Sequence, residues 1–201
     1  MTRPNLPNSI SLFRVMTVPL LMVFLLADVP GGDIVALAIF AVAAGSDSLD
    51  GYIARRRSQT TVMGAFLDPL ADKLLVTAAL VCLVELGELS AWVAMVVIAR
   101  EFAISGLRMV AAIQDVVISA SKWGKAKTVT QVLVIAVLIV EPRWLKPDWT
   151  LGGQRVSWYL VMLMLVLTVV SALDYFWHAR RQLGGPAILK DPEGASPASK
   201  G

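Results

Sequence analysis

Six long apolar stretches occupy most of this chain and restrict the folds open to it. They lie near residues 9–28, 34–54, 66–87, 90–113, 126–141 and 156–177. Most are about 20 residues long, enough for a helix to cross a hydrocarbon layer of about 30 Å. Because backbone polar groups must pair within a bilayer, such stretches are expected to be helical. The sequence predicts an all-α, polytopic integral membrane protein with six transmembrane helices, the fifth starting early, near Lys122.

Composition agrees with a membrane protein. Hydrophobic residues make up 57% of the chain and charged residues 16%, and the mean hydropathy of +0.70 is too high for an ordinary soluble domain.

Arg14 and Pro19 interrupt the first stretch, which is therefore interpreted as a span and not as a cleavable signal peptide. The single Cys82 excludes a disulfide framework and indicates a packing role. The single His178 is interpreted as an interfacial residue and not as a metal ligand.

Basic residues predict the orientation of these spans. On one side of a six-span arrangement lie Arg3, Arg55 to Arg57, Lys122, Lys125, Lys127, Arg180 and Arg181. Since such residues favour the cytosolic side, both termini are expected there.

The net charge of +3 suits anionic lipid headgroups, and no nucleic-acid-binding motif is present. Residues 1–181 are predicted to form one membrane domain, and residues 182–201, rich in Pro, Gly, Ser and Lys, a disordered tail.

Four aspartates sit inside this apolar chain, where an uncompensated carboxylate costs several kcal/mol. Asp47 and Asp50 are three residues apart on one helix, and Asp68 and Asp72 are four apart on the next. Residues three or four apart share a helix face. Two carboxylate pairs on facing helices suit Mg²⁺ or Mn²⁺, which prefer oxygen ligands and leave positions for phosphate. The sequence therefore predicts a divalent metal site, at the cytosolic end of spans two and three.

The segment D-x2-D-G-x2-A-R-x8-G-x3-D-x3-D, residues 47–72, resembles the signature of the CDP-alcohol phosphotransferase family at every fixed position. The resemblance implies that two Mg²⁺ or Mn²⁺ ions are held by Asp47, Asp50, Asp68 and Asp72, with Asp72 as the catalytic base, in a cavity open to the cytosol. It also implies that CDP-diacylglycerol is bound by Asn8, Asp47, Gly51, Ala54, Arg55, Gly64 and Asp68. A homodimer is implied by the resemblance alone.

Three further segments resemble the bacterial phosphatidylglycerophosphate synthase branch of this family. They are PNLPNSISLFR at residues 4–14, RE-x3-SGLR at 100–108 and WGKAKTVTQ at 123–131; SALDYF at 171–176 extends the likeness. The branch implies a bacterial inner-membrane enzyme that joins CDP-diacylglycerol to glycerol 3-phosphate. Charged side chains within a span suit a cavity for an anion. The expected acceptor-binding residues are Arg100, Arg108, Lys125, Lys127 and Thr128.

Simpler interpretations remain open for several of these residues. Asn8 suits an N-terminal cap of the first helix, Lys122 and Lys125 suit ordinary positive-inside topology, and Arg100 with Glu101 suits a structural ion pair. Another acceptor would make the chain a cardiolipin or phosphatidylinositol phosphate synthase. A divalent-cation transporter that uses the aspartates is the alternative from a different class.

Overall fold

The computed structural model describes the backbone of residues 6–27, 29–57, 62–113, 122–144, 150–151 and 154–183. It describes side chains over 13–27, 29–46, 71, 73–111, 123–142, 144, 150–151 and 154–180. Six helices account for nearly all of it: α1 Leu6–Leu26, α2 Gly32–Arg57, α3 Val62–Glu85, α4 Ala91–Ile113, α5 Lys122–Trp144 and α6 Val156–Leu183. Each falls on one predicted apolar stretch, and α5 begins at Lys122 as predicted.

Two local features differ from the sequence-based expectation. A short antiparallel hairpin, β1 Thr150–Leu151 with β2 Gln154–Arg155, precedes α6. The signal for it is the pair Gly152 and Gly153, a dipeptide that favours two-residue hairpin turns. Asn8 lies inside the first turn of α1, which begins at Leu6. Because a capping residue precedes the first turn, the capping interpretation of Asn8 is wrong.

Helix ends follow local backbone chemistry where the chain must reverse. Gly87, at φ +75°, follows α3 in the left-handed conformation that glycine adopts without steric cost. The N–H of Glu88 bonds the carbonyl of Leu83 at 2.9 Å, and the N–H of Gly87 bonds that of Val84 at 3.0 Å. These are the two bonds of a Schellman motif. They satisfy carbonyls at the end of α3 and turn the chain into α4.

The helices pack into a bundle around one apolar core. Helix α1 packs against α2 and α3, α4 against α3 and α6, and α5 against α2 and α6. The largest fully buried apolar side chains include Leu21, Phe40, Leu75, Leu80, Ile135 and Met164. The outside of the bundle is also apolar, with Met16, Trp92, Val166 and Leu173 all more than half exposed. An apolar exterior of this extent is typical of a surface that faces lipid.

Two contacts define one end of the bundle. The indole Nε1 of Trp144, at the end of α5, donates to Asp33 Oδ2 at the start of α2 over 2.5 Å. Arg155, just before α6, bonds Glu88 between α3 and α4 at 3.0 Å. We call this the hairpin end. The opposite end, where α2 ends and α3 begins, carries all four motif aspartates on its helices and is called the aspartate end.

Helices α5 and α6 contain apolar stretches long enough to span a membrane, at Trp123–Pro142 and Val156–Arg180. Shorter apolar stretches cover Phe13–Leu26 of α1 and Gly32–Ser46 of α2. Charged residues also lie within the helices: Arg14 in α1, the motif aspartates in α2 and α3, and Arg100 with Glu101 in α4. The described part of the chain is thus almost entirely helical and includes two candidates for membrane spans by length and composition.

Candidate active site

The motif aspartates lie on helices α2 and α3, two by two. Asp47 and Asp50 are in α2, and Asp68 and Asp72 are in α3; their side chains lie outside the described residues. The helical register is informative, because buried residues at 36, 40 and 43 of α2 continue to position 47 at the same spacing. In α3, buried Leu75 is three residues after position 72 and seven after 68, again on one face. The backbone positions of both aspartate pairs therefore continue the spacing of the buried residues on α2 and α3.

The remaining nucleotide-binding predictions also lie at the aspartate end. Gly51, Ala54 and Arg55 are in the last turns of α2, and Gly64 is in the first turn of α3. Asn8 is in the first turn of α1, which packs against both of these helices. The backbone positions of these residues thus lie at one end of the bundle. Their side chains lie outside the described part of the chain, and their roles stay predictions.

Arg14 is a buried cation beside this motif, and sequence reasoning missed its position. The side chain is 1% exposed, and its Nη2 lies 3.5 Å from Ser46 Oγ, which belongs to the residue immediately before Asp47. Ser46 in turn donates to the carbonyl of Ala43 at 2.8 Å. The available signal was an arginine inside an apolar stretch, since an ionisable residue within a span usually has a function.

A second group of charged side chains joins α4, α5 and α6. Lys127 is 1% exposed and forms an ion pair with Glu101. Arg100 lies beside the same carboxylate, with Nη1 3.5 Å from Glu101 Oε1, and its Nη2 donates to Ser171 Oγ at 2.8 Å. We call Arg100, Glu101, Lys127 and Ser171 the α4–α6 polar cluster. Both interpretations of Arg100 are compatible with it, because the ion pair to Glu101 is present but long.

Arg108 lies two turns after Arg100 on α4 and contacts a different residue of α6. Its guanidinium carbon is 5.5 Å from the centre of the Tyr175 ring, a distance typical of a cation–π contact. Tyr175 is buried with Ile104 and Ala179 in a small apolar cluster. Ser171 and Tyr175 belong to the segment SALDYF, which the sequence analysis used only as a resemblance. They are functional candidates that it did not name.

Lys125 and Thr128 are placed differently from Lys127. Both are exposed, and the Thr128 hydroxyl donates to the carbonyl of Gly124 at 3.1 Å. Within the part of the chain that the structure describes, no hydrogen bond or ion pair joins either side chain to Arg100 or Glu101. Of the five predicted acceptor-binding residues, the structure thus brings Arg100 and Lys127 together and places Arg108 nearby on the same helix.

Cys82 lies in the core of the bundle and His178 on its surface. Cys82 is a buried free thiol in the apolar core, as predicted. The His178 ring is exposed, and its Nδ1 lies 2.8 Å from the carbonyl of Asp174 one turn earlier. Among the side chains that the structure describes, no group of three or more His, Cys, Asp and Glu residues could hold a metal ion. The motif aspartates, whose side chains fall outside that set, remain the candidate ligands.

A cavity of about 210 Å³ lies at the hairpin end, far from this chemistry. Its wall is mainly apolar, with Leu25, Ile139 and Pro142 among the lining residues, and Asp33 and Glu88 supply the acidic groups. Each of these two carboxylates already has a partner, Trp144 and Arg155 respectively. The aspartate end, with its motif and its buried cations, is therefore the better candidate active site.

Known proteins resemble this chain over most of its length. The model of the CDP-alcohol phosphatidyltransferase family matches residues 4–176. A Bacillus subtilis protein named CDP-diacylglycerol–glycerol-3-phosphate 3-phosphatidyltransferase is 37% identical over 194 residues, covering 87% of this chain and 96% of the relative. A Mycobacterium tuberculosis protein named probable phosphatidylglycerophosphate synthase is 39% identical over 188 residues, covering 90% of this chain and 84% of the relative. A Haemophilus influenzae protein with the same name as the Bacillus protein is 34% identical over 186 residues, covering 89% of this chain and 95% of the relative.

Proposed function

Because this chain belongs to the CDP-alcohol phosphatidyltransferase family, we propose that it transfers the phosphatidyl group of CDP-diacylglycerol to sn-glycerol 3-phosphate. The products are phosphatidylglycerol phosphate and CMP, so the enzyme acts in phospholipid biosynthesis. The relatives that match most of the chain are named for this reaction. The observation that carries the proposal is the complete aspartate motif on α2 and α3 together with the α4–α6 polar cluster.

The donor set of the motif fits a pair of hard divalent cations. Four carboxylates supply only oxygen ligands, the type that Mg²⁺ and Mn²⁺ prefer, and none of the softer sulfur or imidazole ligands is present in the motif. Asp47 and Asp50 would bind from α2, and Asp68 and Asp72 from α3. When bound, such ions neutralise the diphosphate of CDP-diacylglycerol and make its β-phosphorus more electrophilic.

The residues of the chain then have separate tasks in the transfer. Asp72 accepts the proton of the 1-hydroxyl of glycerol 3-phosphate as that oxygen attacks the β-phosphorus and CMP leaves. Arg55 contacts phosphate through its planar guanidinium. Gly51, Ala54 and Gly64 leave room for the cytidine, since small residues permit close approach to the helix backbone. Asn8, on α1, is the remaining residue proposed to bind CDP-diacylglycerol.

The acceptor phosphate is assigned to the cationic side chains of α4 and α5. Arg100 and Lys127 both approach the carboxylate of Glu101, and Arg108 adds a further cation on the same helix as Arg100. A low-dielectric site of this charge favours a dianionic phosphate monoester over a neutral acceptor. Lys125 and Thr128, exposed on the first turns of α5, are assigned to the entrance, where they contact the phosphate as it arrives.

We further propose that all six helices span the bacterial inner membrane. Exposed tryptophans lie near both ends of the bundle: Trp92, Trp144 and Trp158 towards the hairpin end, and Trp123 and Trp177 towards the aspartate end. Tryptophan is enriched at both membrane interfaces. Trp158 and Trp177 are separated by 19 residues of α6, or about 28 Å at 1.5 Å per residue, which matches a hydrocarbon core of about 30 Å.

This topology places both termini and the active-site cavity in the cytosol, and labelling in intact cells tests it. The native Cys82 is buried and provides a low background. Thr150→Cys, in the exposed hairpin, is expected to react with a membrane-impermeant maleimide added from outside. Ser199→Cys, in the C-terminal tail, is expected to react only after the membrane is permeabilised. Labelling of Ser199→Cys in intact cells would contradict the proposed orientation.

The proposed reaction is tested by CMP release from purified protein in detergent. CDP-diacylglycerol and Mg²⁺ or Mn²⁺ are supplied with glycerol 3-phosphate, inositol phosphate or phosphatidylglycerol as acceptor. Release that depends on glycerol 3-phosphate is expected. Release with inositol phosphate or phosphatidylglycerol instead would keep the family and change the product. An absence of release with every acceptor, from protein that is folded and binds metal, would favour a divalent-cation transporter.

The family resemblance also supports a homodimer as the functional assembly. The exterior of the bundle is apolar on several sides, so a second copy and lipid would both be accommodated. Cross-linking in membranes, or the molecular mass of the protein in detergent measured by light scattering, tests this part of the proposal.

A further inference from the structure

Helix α6 runs beside α4 in the same direction, and its side chains hold both arginines of the proposed acceptor site. Arg100 contacts Ser171, and Arg108, two turns later on α4, contacts Tyr175, one turn later on α6. The contacts occur in the same order along both helices, so the two helices are parallel here. Helix α6 therefore presents one continuous face to the guanidinium groups of α4.

The Ser171 hydroxyl is oriented to accept a hydrogen bond. Its own proton is donated to the carbonyl of Thr168 at 3.1 Å, which leaves the oxygen lone pairs for Arg100 Nη2 at 2.8 Å. Ser171 is almost fully buried. A hydrogen bond that fixes one arm of a guanidinium limits the rotamers of the whole side chain. Ser171 is thus placed to position Arg100, without adding a negative charge that would compete with a phosphate.

Tyr175 has an unused donor in a buried position. The residue is 4% exposed, and its hydroxyl has no hydrogen-bond partner among the described residues. A buried polar group without a partner is costly, so native structures seldom retain one without a reason. The Arg108 guanidinium lies 5.5 Å from the centre of the same ring, so a cation that attracts anions is adjacent to this tyrosine. A phenolic O–H is a suitable donor to a phosphate oxygen.

We propose that the Tyr175 hydroxyl is a direct ligand of the acceptor's phosphate and that Ser171 is the residue that positions Arg100 beside it. This inference rests on the proposed function and deepens it, because α6 becomes a wall of the acceptor site. Recognition then combines the cationic side chains of α4 and α5 with one neutral donor. The neutral donor adds directional contact to the phosphate without further repulsion between the cations.

The test is Tyr175→Phe, which removes one oxygen atom and keeps the ring beneath Arg108. The KM for glycerol 3-phosphate is expected to rise about tenfold or more, because a hydrogen bond to a charged group is lost. The KM for CDP-diacylglycerol is expected to stay unchanged. A second measurement omits CDP-diacylglycerol: the stabilisation of the protein against heat by glycerol 3-phosphate should weaken in the variant.

Tyr159→Phe is the matched control. This tyrosine lies on the same helix at the hairpin end, and its hydroxyl donates to the carbonyl of Leu151 at 3.0 Å. Loss of the Tyr159 hydroxyl should leave the KM for glycerol 3-phosphate and the KM for CDP-diacylglycerol unchanged. Ser171→Ala should raise the KM for glycerol 3-phosphate selectively, as Tyr175→Phe does, whereas a merely structural role would alter both substrates alike.

The outcomes separate this inference from the proposed function. Wild-type protein that uses glycerol 3-phosphate, with an unchanged KM in Tyr175→Phe, would overturn the role of Tyr175 and keep the reaction. An equal rise in both KM values would also overturn it. If the wild-type protein uses inositol phosphate instead, the proposed function fails. The same variant is then measured with that phosphate monoester, where a selective rise in KM supports Tyr175 and an unchanged KM overturns it.

Discussion

Asp68→Asn is expected to lower the rate of CMP release by about a thousandfold or more. Asparagine keeps the size of the side chain and removes the negative charge that a divalent ion requires from its ligand. Loss of several kcal/mol of transition-state stabilisation corresponds to a rate loss of this order. Asp68 lies on α3 at the aspartate end, so the change should not affect insertion into the membrane. The rate is measured at saturating substrate over a range of Mg²⁺ and Mn²⁺ concentrations.

Asp33→Asn is the control for this substitution. Asp33 belongs to α2, the helix of Asp47 and Asp50, but it lies at the hairpin end and accepts a hydrogen bond from Trp144. Asparagine retains an oxygen that accepts this bond, so turnover should remain close to the wild-type value. Binding of Mn²⁺, followed by electron paramagnetic resonance without substrate, should weaken in Asp68→Asn alone. Near-normal turnover of Asp68→Asn would reject the metal-ligand assignment.

The second large effect is expected from Glu101→Gln, as a loss of stability. Lys127 is almost fully buried and Arg100 largely so, and Glu101 is the carboxylate that both approach. Loss of the Glu101 charge weakens the compensation of both cations, and breaking a buried ion pair costs about 3–5 kcal/mol. We expect about 3 kcal/mol, because the Glu101 side chain retains 23% exposure and water screens part of the charge. Thermal unfolding in detergent measures the change.

A double-mutant cycle identifies the cause of this loss. Lys127→Met has nearly the same shape as lysine and removes the charge, so Glu101→Gln with Lys127→Met should recover most of the stability lost in Glu101→Gln alone. The double variant should still bind glycerol 3-phosphate poorly, because Lys127 is assigned to the acceptor site. Strictly additive losses of stability would show that the two side chains are not coupled.

The sequence was sufficient to locate the helices. Six apolar stretches appear as six helices, and α5 begins at Lys122, before the apolar stretch at 126–141, as expected from the sequence. Apolar length and periodicity are local properties, so they can be detected without tertiary information. The hairpin before α6 was missed because its signal is only the pair Gly152 and Gly153, and each strand has two residues.

The identity of the family also followed from the sequence. The aspartate motif has fixed spacings within two neighbouring helices, and helix geometry converts such spacings directly into a shared face. The match of the family model to residues 4–176 confirms that resemblance. The proposed reaction rests on this local pattern together with the names of the relatives. The metal ligands stay a prediction, since the side chains of all four aspartates lie outside the described residues.

The sequence could not choose between Lys125 and Lys127. Two residues apart on a helix, they point about 200° apart, at 100° per residue, so only one can face the core. Lys127 is the buried one, and Gln131, Val134 and Leu138 follow it along the inward side of α5. Which side faces inward depends on the packing of α5 against α2 and α6, and this is a tertiary property.

What the sequence alone determined, then, is the set of helices, their apolar character and the family to which the aspartate motif belongs, because each depends on residues close together in the chain. Only the tertiary structure decided which distant side chains meet. Ser171 is 71 positions from Arg100, and Ser46 is 32 from Arg14. No local pattern encodes such contacts, since they arise when helices pack and a buried cation requires a polar partner. The α6 side of the proposed acceptor site is therefore visible only in the folded chain.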